Sequence, residues 1–257
     1  MEIQGTSLDP LLFWKPGQSV RGALRFASSG LATALRFGSG AFVGSRRVQP
    51  ERHLILYERE GCPYSRKVRE ALSVLDLDAD VRPCPKGSET YRQELRQYVH
   101  VQGRIPVLLD PNTAQVLEDS DRIVAYLFRT YGDGNVPWSL RPGVLTDATS
   151  RLASLVRGNA GQRAQPRHHK PERPLELWSY EASPYSRFVR EVLTELELPY
   201  VLHNAARKSP RRGELFEHAG TIQLPYLEDP NTGAALLESD AIVSYLRVTY
   251  GPEAAPN

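Results

Sequence analysis

Apolar residues along this chain follow first a strand-like and then a helical period, and the whole pattern occurs twice. His53–Glu58 is a short apolar, β-prone run. After a turn, Pro63 opens a segment in which Val68, Leu72 and Leu75 recur at helical spacing. Proline suits a first helical position, because the N–H it lacks would be unpaired there anyway. Ala79–Pro83 predicts a second strand, Glu89–Tyr98 a second helix and Ile105–Asp110 a third strand. An Asp-Pro-Asn-Thr turn and a short fourth strand, Gln115–Leu117, follow. Asp119 and Ser120 start a last helix, Asp121–Tyr131, which Gly132 stops. The predicted order is βαβαββα, and it returns from Leu175 to Gly251.

The recurrence is literal at five places. Pro63-Tyr64-Ser65-Arg66 returns as Pro184-Tyr185-Ser186-Arg187, and Val68-Arg69-Glu70 as Val189-Arg190-Glu191. Asp110-Pro111-Asn112-Thr113 returns from Asp229, Ser120-Asp121-x-Ile-Val-x-Tyr-Leu127 from Ser239, and Thr130-Tyr-Gly132 from Thr249. The offset is 121 residues early (Pro63 to Pro184) and 119 later (Asp110 to Asp229), so one small deletion in the second copy accounts for the difference. The domains read as 51–132 and 174–252, with an arm over 1–50. Residues 133–173 carry one helix, Thr146–Val156, and then a linker, Gly158–Pro174, expected to be exposed. His168 and His169 in it have no cysteine or acidic residue beside them, which favours a solvated basic loop over metal ligands.

Composition narrows the class without naming it. The chain has 257 residues, 40% hydrophobic and 24% charged, as in ordinary globular proteins. A formal charge of +2 gives no argument for nucleic acid. Two cysteines, Cys62 and Cys84, exclude a disulfide framework and suit a reducing compartment, the cytoplasm or an organelle stroma. No run approaches the roughly 18 apolar residues of a membrane span. The arm differs from the rest: from Leu11 to Val48 there is no Asp or Glu, but six Lys or Arg. Ser19 to Gly38 spaces Val20, Leu24, Leu31 and Leu35 as an amphipathic helix. Three readings follow: an arm packed on the first domain, which ranks first, a membrane-surface helix, or a transit peptide, which Glu2, Asp9, Pro10 and Pro16 fit poorly.

Cys62-Pro63-Tyr64-Ser65, Ile105-Pro106-Val107 and Asp119-Ser120 followed by Ile123-Val124 and Tyr126-Leu127 stand in one order, on a βαβαββα frame. Together they resemble the glutathione-binding N-terminal domain of glutathione S-transferases, a thioredoxin-like fold. Ser183-Pro184-Tyr185-Ser186, Leu224-Pro225-Tyr226 and Glu238-Ser239 repeat the set. The tandem form, with Pro83-Cys84-Pro85 after the second strand, also resembles two-copy proteins of photosynthetic organisms. The fold expected is therefore α/β, two tandem thioredoxin-like domains without an all-helical transferase domain.

Cys62 precedes a helix opened by Pro63, at the positive end of the helix dipole, where a thiolate is stabilised. Arg66 and Lys67 add positive charge nearby. This context favours an exposed, activated thiol over the buried, inert state usual for free cysteines. Ser65 fills the place of a resolving second cysteine, which leaves monothiol exchange with glutathione. Cys84 either resolves a Cys62 disulfide or is a small residue in a Pro-bracketed turn.

The resemblance implies cis bonds before Pro106 and Pro225, presenting the backbones of Ile105 and Leu224 to the cysteinyl part of glutathione. It also implies that Asp119-Ser120 and Glu238-Ser239 receive the γ-glutamyl group, a role compatible with simple helix capping. Tyr64 joins this ligand set. Ser183 either stabilises the glutathione thiolate, with Tyr185 a weaker candidate, or marks a copy that has lost its chemistry. The leading expectation is a glutathione-dependent thiol–disulfide oxidoreductase or transferase-like protein acting on glutathione and protein disulfides. The alternatives are a non-catalytic glutathione-binding or interaction module, and a glutathione-assisted Fe–S carrier.

Overall fold

The computed structural model describes residues 20–44, 48–99 and 104–252, with the backbone alone at 20–25 and Leu145. Helix α1 (Val20–Ala34) opens it. The first copy follows as β1 (Leu54–Glu58), α2 (Pro63–Leu75), β2 (Ala79–Pro83), α3 (Thr90–Leu95), β3 (Val107–Asp110), β4 (Gln115–Glu118) and α4 (Ser120–Tyr131). Helix α5 (Val144–Val156) leads to the second copy: β5 (Leu175–Ser179), α6 (Pro184–Glu195), β6 (Tyr200–Asn204), α7 (Arg211–Ala219), β7 (Tyr226–Asp229), β8 (Ala234–Leu237) and α8 (Ser239–Tyr250).

The copies share one eight-stranded sheet in the order β4-β3-β1-β2-β6-β5-β7-β8. Within each copy the first two strands are parallel, and the last two add as an antiparallel hairpin. The seam is β2 against β6, antiparallel, with Val81 opposite Tyr200. Strand alternation gives each copy one face for its two long helices: Leu54, Leu56, Leu72, Ile123 and Leu127 form one core, and Leu177, Leu193, Ile242 and Leu246 the other. Val81 belongs to the second core although it lies in the first copy, so the two folds are fused rather than strung together.

The repeated Asp-Pro-Asn-Thr motif is a lock for this architecture. Asp110 accepts from the hydroxyls of Tyr126 and Tyr131, each at 2.5 Å, while Asn112 pairs with both backbone groups of Arg52 at 2.9 Å. Asp229 holds Tyr245 and Tyr250 in the same way, and Asn231 holds Arg173. Each turn thus ties its hairpin to the last helix and to the entry of the first strand.

The arm is more than a cover for the first domain. Ser29 donates to the carbonyl of Pro184 and Thr33 to that of Ala182, both in the second copy, while Arg36 forks onto Glu70 of the first. Helix α5 makes the reciprocal contacts: Ser150 donates to the Pro63 carbonyl at 2.6 Å, and Arg157 forks onto Glu191. Ser29 and Ser150, Arg36 and Arg157, Gly40 and Gly161 all stand 121 positions apart. The duplication therefore includes the arms, and each arm crosses to the other copy's first-helix N-terminus.

Candidate thiol site and its counterpart

Cys62 occupies the N-cap position of α2, with extended backbone (φ −83°, ψ 124°), and its sulfur makes no cap hydrogen bond. Ser183 occupies the same position before α6, but there the hydroxyl accepts from the Ser186 N–H at 3.1 Å. The serine is spent on its own helix, whereas the thiol is not.

Cys62 is 2% exposed, against the expectation of an open thiol. The loop before it is covered by the stretch after α5, read from sequence as an exposed linker. The Gly61 N–H donates to the Gly161 carbonyl at 3.0 Å, and Gln162 Nε2 donates back to the Gly61 carbonyl at 2.5 Å. Lys86 and Arg163 then bridge in parallel, with Lys86 N to Gln162 O at 2.8 Å and Ala164 N to Lys86 O at 2.9 Å. Gly161 sits at φ +63°, and a Cβ there would lie 2.9 Å from the Cβ of Glu60, so this strap needs glycine to lie so close. Residues 158–165 are thus a strap clamped over the Cys62 loop. Ala41 is the counterpart of Gln162 over the second copy, so of the two N-cap loops only the one before Cys62 lies under an amide side chain.

The charges expected beside the thiol are engaged elsewhere. Lys67, fully buried, lies between Asp121 of α4 and Asp147 of α5. Arg66 faces Glu181 at 3.4 Å, inside a charge cluster on the seam between the copies. There Glu60 and Glu181 are each straddled by Arg69 and Arg190 at 2.8–3.1 Å, and Arg69 also binds Glu58. Burial lifts the Glu58 carboxyl to about 7 despite Arg69. Burial also works on Glu181, but Arg190, Arg69, Arg66 and Arg187 outweigh it and hold that carboxyl well below the usual range. The arginines of the repeated Val-Arg-Glu motif thus form the joint between copies, while its glutamates hold the arm arginines Arg36 and Arg157.

Cys84 lies against Tyr57, Tyr91, Leu95 and Val107 in an apolar cluster, 1% exposed. Burial pushes its thiol up to about 12, with Arg92 opposing only in part. Both cysteines are free, and these surroundings match the small-residue reading of Cys84 rather than the resolving one.

The remaining predicted residues fall at the same end of each copy. Ile105–Pro106 and Leu224–Pro225 are cis, as the resemblance implied. Asp119 and Glu238 cap α4 and α8 with φ at +77° and +66°, a backbone region that non-glycine residues rarely enter. Asp119 accepts from the N–H groups of Asp121 and Arg122, and Glu238 from Gln223 Nε2. Ser120 and Ser239 are buried behind them, and Ser239 Oγ has no partner among the described residues. Tyr64 is part-exposed, and its hydroxyl accepts from Arg151 of α5 at 2.6 Å; Tyr185 packs on Phe26 of α1 instead. His168 and His169 lie edge to face, with the ring of His169 on Tyr250. Among the described residues no group of His, Cys, Asp and Glu is disposed to hold a metal ion, and no helix is long and apolar enough to cross a membrane.

Gln162, Ser150 and Arg157 were not among the residues predicted for the site. Their signal was the 121-residue offset continued upstream, where Ser29-x-Leu31-Ala32 and Arg36 match Ser150-x-Leu152-Ala153 and Arg157. No curated protein and no solved structure matches the chain. A family model described as the glutathione S-transferase N-terminal domain matches it twice, over residues 56–135 and 177–254. These matches span more than half of the sequence, and the chain belongs to the glutathione S-transferase N-terminal domain family, whose domain it carries in two copies.

Proposed function

We propose that the chain is a glutathione-dependent thiol–disulfide oxidoreductase that works through Cys62 alone. The observation carrying this reading is the difference between the two N-cap positions: Ser183 is committed to its helix, and the Cys62 sulfur is not. Cis-Pro106 and the positive-φ Asp119 at the same end fit a glutathione held by its backbone and its γ-glutamyl group, as in the family. The Cys62 thiolate attacks the glutathione sulfur of a mixed disulfide, R–S–S–G. The S–S bond breaks, R–S⁻ leaves and takes up a proton, and Cys62–S–S–G remains. A second glutathione thiolate attacks that adduct, releasing oxidised glutathione and regenerating Cys62. One free glutathione thiol per turnover joins the glutathionyl group taken from the substrate to give oxidised glutathione, so no resolving cysteine is needed, consistent with Ser65 at that place.

Access to a sulfur that is 2% exposed requires the strap at Gly161 and Gln162 to lift. That burial also favours a second reading, a non-catalytic glutathione-binding or protein-interaction module, and it counts against Fe–S carriage, which needs the sulfur at a surface shared by two chains. The assay is glutathione-dependent reduction of a glutathionylated peptide by the wild type and by Cys62→Ser. Turnover lost in the variant is expected; no turnover by either protein supports the binding module.

A further inference from the structure

We propose that the outer face of α1 and α5 is a docking surface for an anionic lipid bilayer. The inner faces of the two helices are already committed, through Ser29, Arg36, Ser150 and Arg157, to the copies beneath. Their outer faces hold apolar side chains that the fold does not use. On α5, Val144, Ala148, Leu152 and Leu155 fall at i, i+4, i+8 and i+11, with Val144 88% and Leu155 74% exposed. On α1, Phe26, Leu31 and Ala34 point outward likewise. Two packed helices with solvent-facing aliphatic stripes make an apolar patch of the kind that marks an interaction site.

A strained residue extends the patch. Phe37, just past α1, sits at φ +53° with its ring 62% exposed, tilted against Trp138 at 5.1 Å between ring centres, and Trp138 is itself 61% exposed. The equivalent position after α5 is Gly158 at φ +60°, the residue that conformation favours. The first copy thus keeps a phenylalanine where glycine would be unstrained, and places its ring beside a tryptophan in water. Phe and Trp at the margin of an apolar face suit the headgroup region of a bilayer.

Charge selects the lipid and argues against a second copy. The sequences of α1 and α5 contain one acidic residue, Asp147, and Lys67 holds it at 2.9 Å. Arg151 lies exposed among the α5 stripe, and Arg141 stands exposed between Trp138 and Val144. An apolar face edged by Arg141 and Arg151, with its one acidic residue paired to a buried lysine, complements anionic headgroups and disfavours its own copy. The face adjoins both sites, through Tyr64 on Arg151 and Tyr185 on Phe26, so docking would set the two N-cap positions beside the membrane surface.

The test is sedimentation of the full chain with vesicles of phosphatidylcholine, alone or containing phosphatidylglycerol. We expect the chain to pellet with the anionic vesicles and not with the neutral ones. A Leu152→Glu/Leu155→Glu double variant should lower the bound fraction at least tenfold. Phe37→Gly, which relieves the backbone, should keep or improve the thermal melt and still weaken binding. The proposal is overturned if the anionic vesicles do not pellet the chain, if both vesicle types bind it equally, or if binding survives both variants. A dimer in light scattering that the double variant dissolves, without vesicle binding, would assign the face to a second copy instead.

Discussion

Gln162 Nε2 donates to the carbonyl of Gly61 at 2.5 Å, one residue before the cysteine. The bond joins the second copy's arm to the first copy's thiol loop. The proposed chemistry at Cys62 therefore predicts a reactivity set by how often that arm lifts.

Gln162→Ala should speed alkylation of Cys62 by iodoacetamide about fivefold, the effect of losing one hydrogen bond of about 1 kcal/mol. Ala41→Gln on the opposite strap is the control and should leave the rate unchanged. An unaltered rate in Gln162→Ala would mean that the strap does not gate the thiol.

The arms should be worth most through their buried ion pairs. Arg157→Ala leaves Glu191 buried with its bidentate partner gone and should cost about 3–5 kcal/mol in urea unfolding, with Arg36→Ala costing about as much at Glu70. Replacing a whole pair, Arg157→Met with Glu191→Leu, should recover most of the loss.

His203 offers a pH test of the seam. Its two ring nitrogens bind Asp78 at 2.8 Å and Glu176 at 2.7 Å. Burial would lower its pKa, but these two carboxylates outweigh burial and raise it to about 9 from 6.5. The stabilisation is fully present below pH 6.5 and is lost as pH rises through 9. His203→Gln should thus cost on the order of 2 kcal/mol more at pH 6 than at pH 10 in matched melts.

Cys84 should be silent. Mild oxidant should give no peptide linking it to Cys62, and Cys84→Ser should turn over glutathionylated peptide at the wild-type rate. A linked peptide in the mass spectrum would restore the resolving role.

Much of this was legible in the sequence, because each copy's elements follow from strong periodicity and unambiguous stops. Ala79–Pro83 was read at its observed bounds, and α2 opens at Pro63 as expected. The cis prolines came from the family resemblance. What was not legible was the crossing of the arms. It depends on which copy Ser29 and Ser150 reach, and a repeat offset reveals kinship but not exchange between halves. The burial of Cys62 was missed for the same reason: its cover comes from a Gly-, Arg- and Gln-rich stretch whose composition reads as loop. The Arg66 and Lys67 charges were misjudged because their partners Glu181 and Asp147 lie far along the chain.

The most direct test of glutathione chemistry at Cys62 is the intact mass of the native chain after incubation with oxidised glutathione, followed by peptide mapping. One glutathione per chain is predicted, on Cys62, retained in Cys84→Ser, absent in Cys62→Ser and faster to form in Gln162→Ala. An unmodified native chain, or an adduct on Cys84 in place of Cys62, would contradict it.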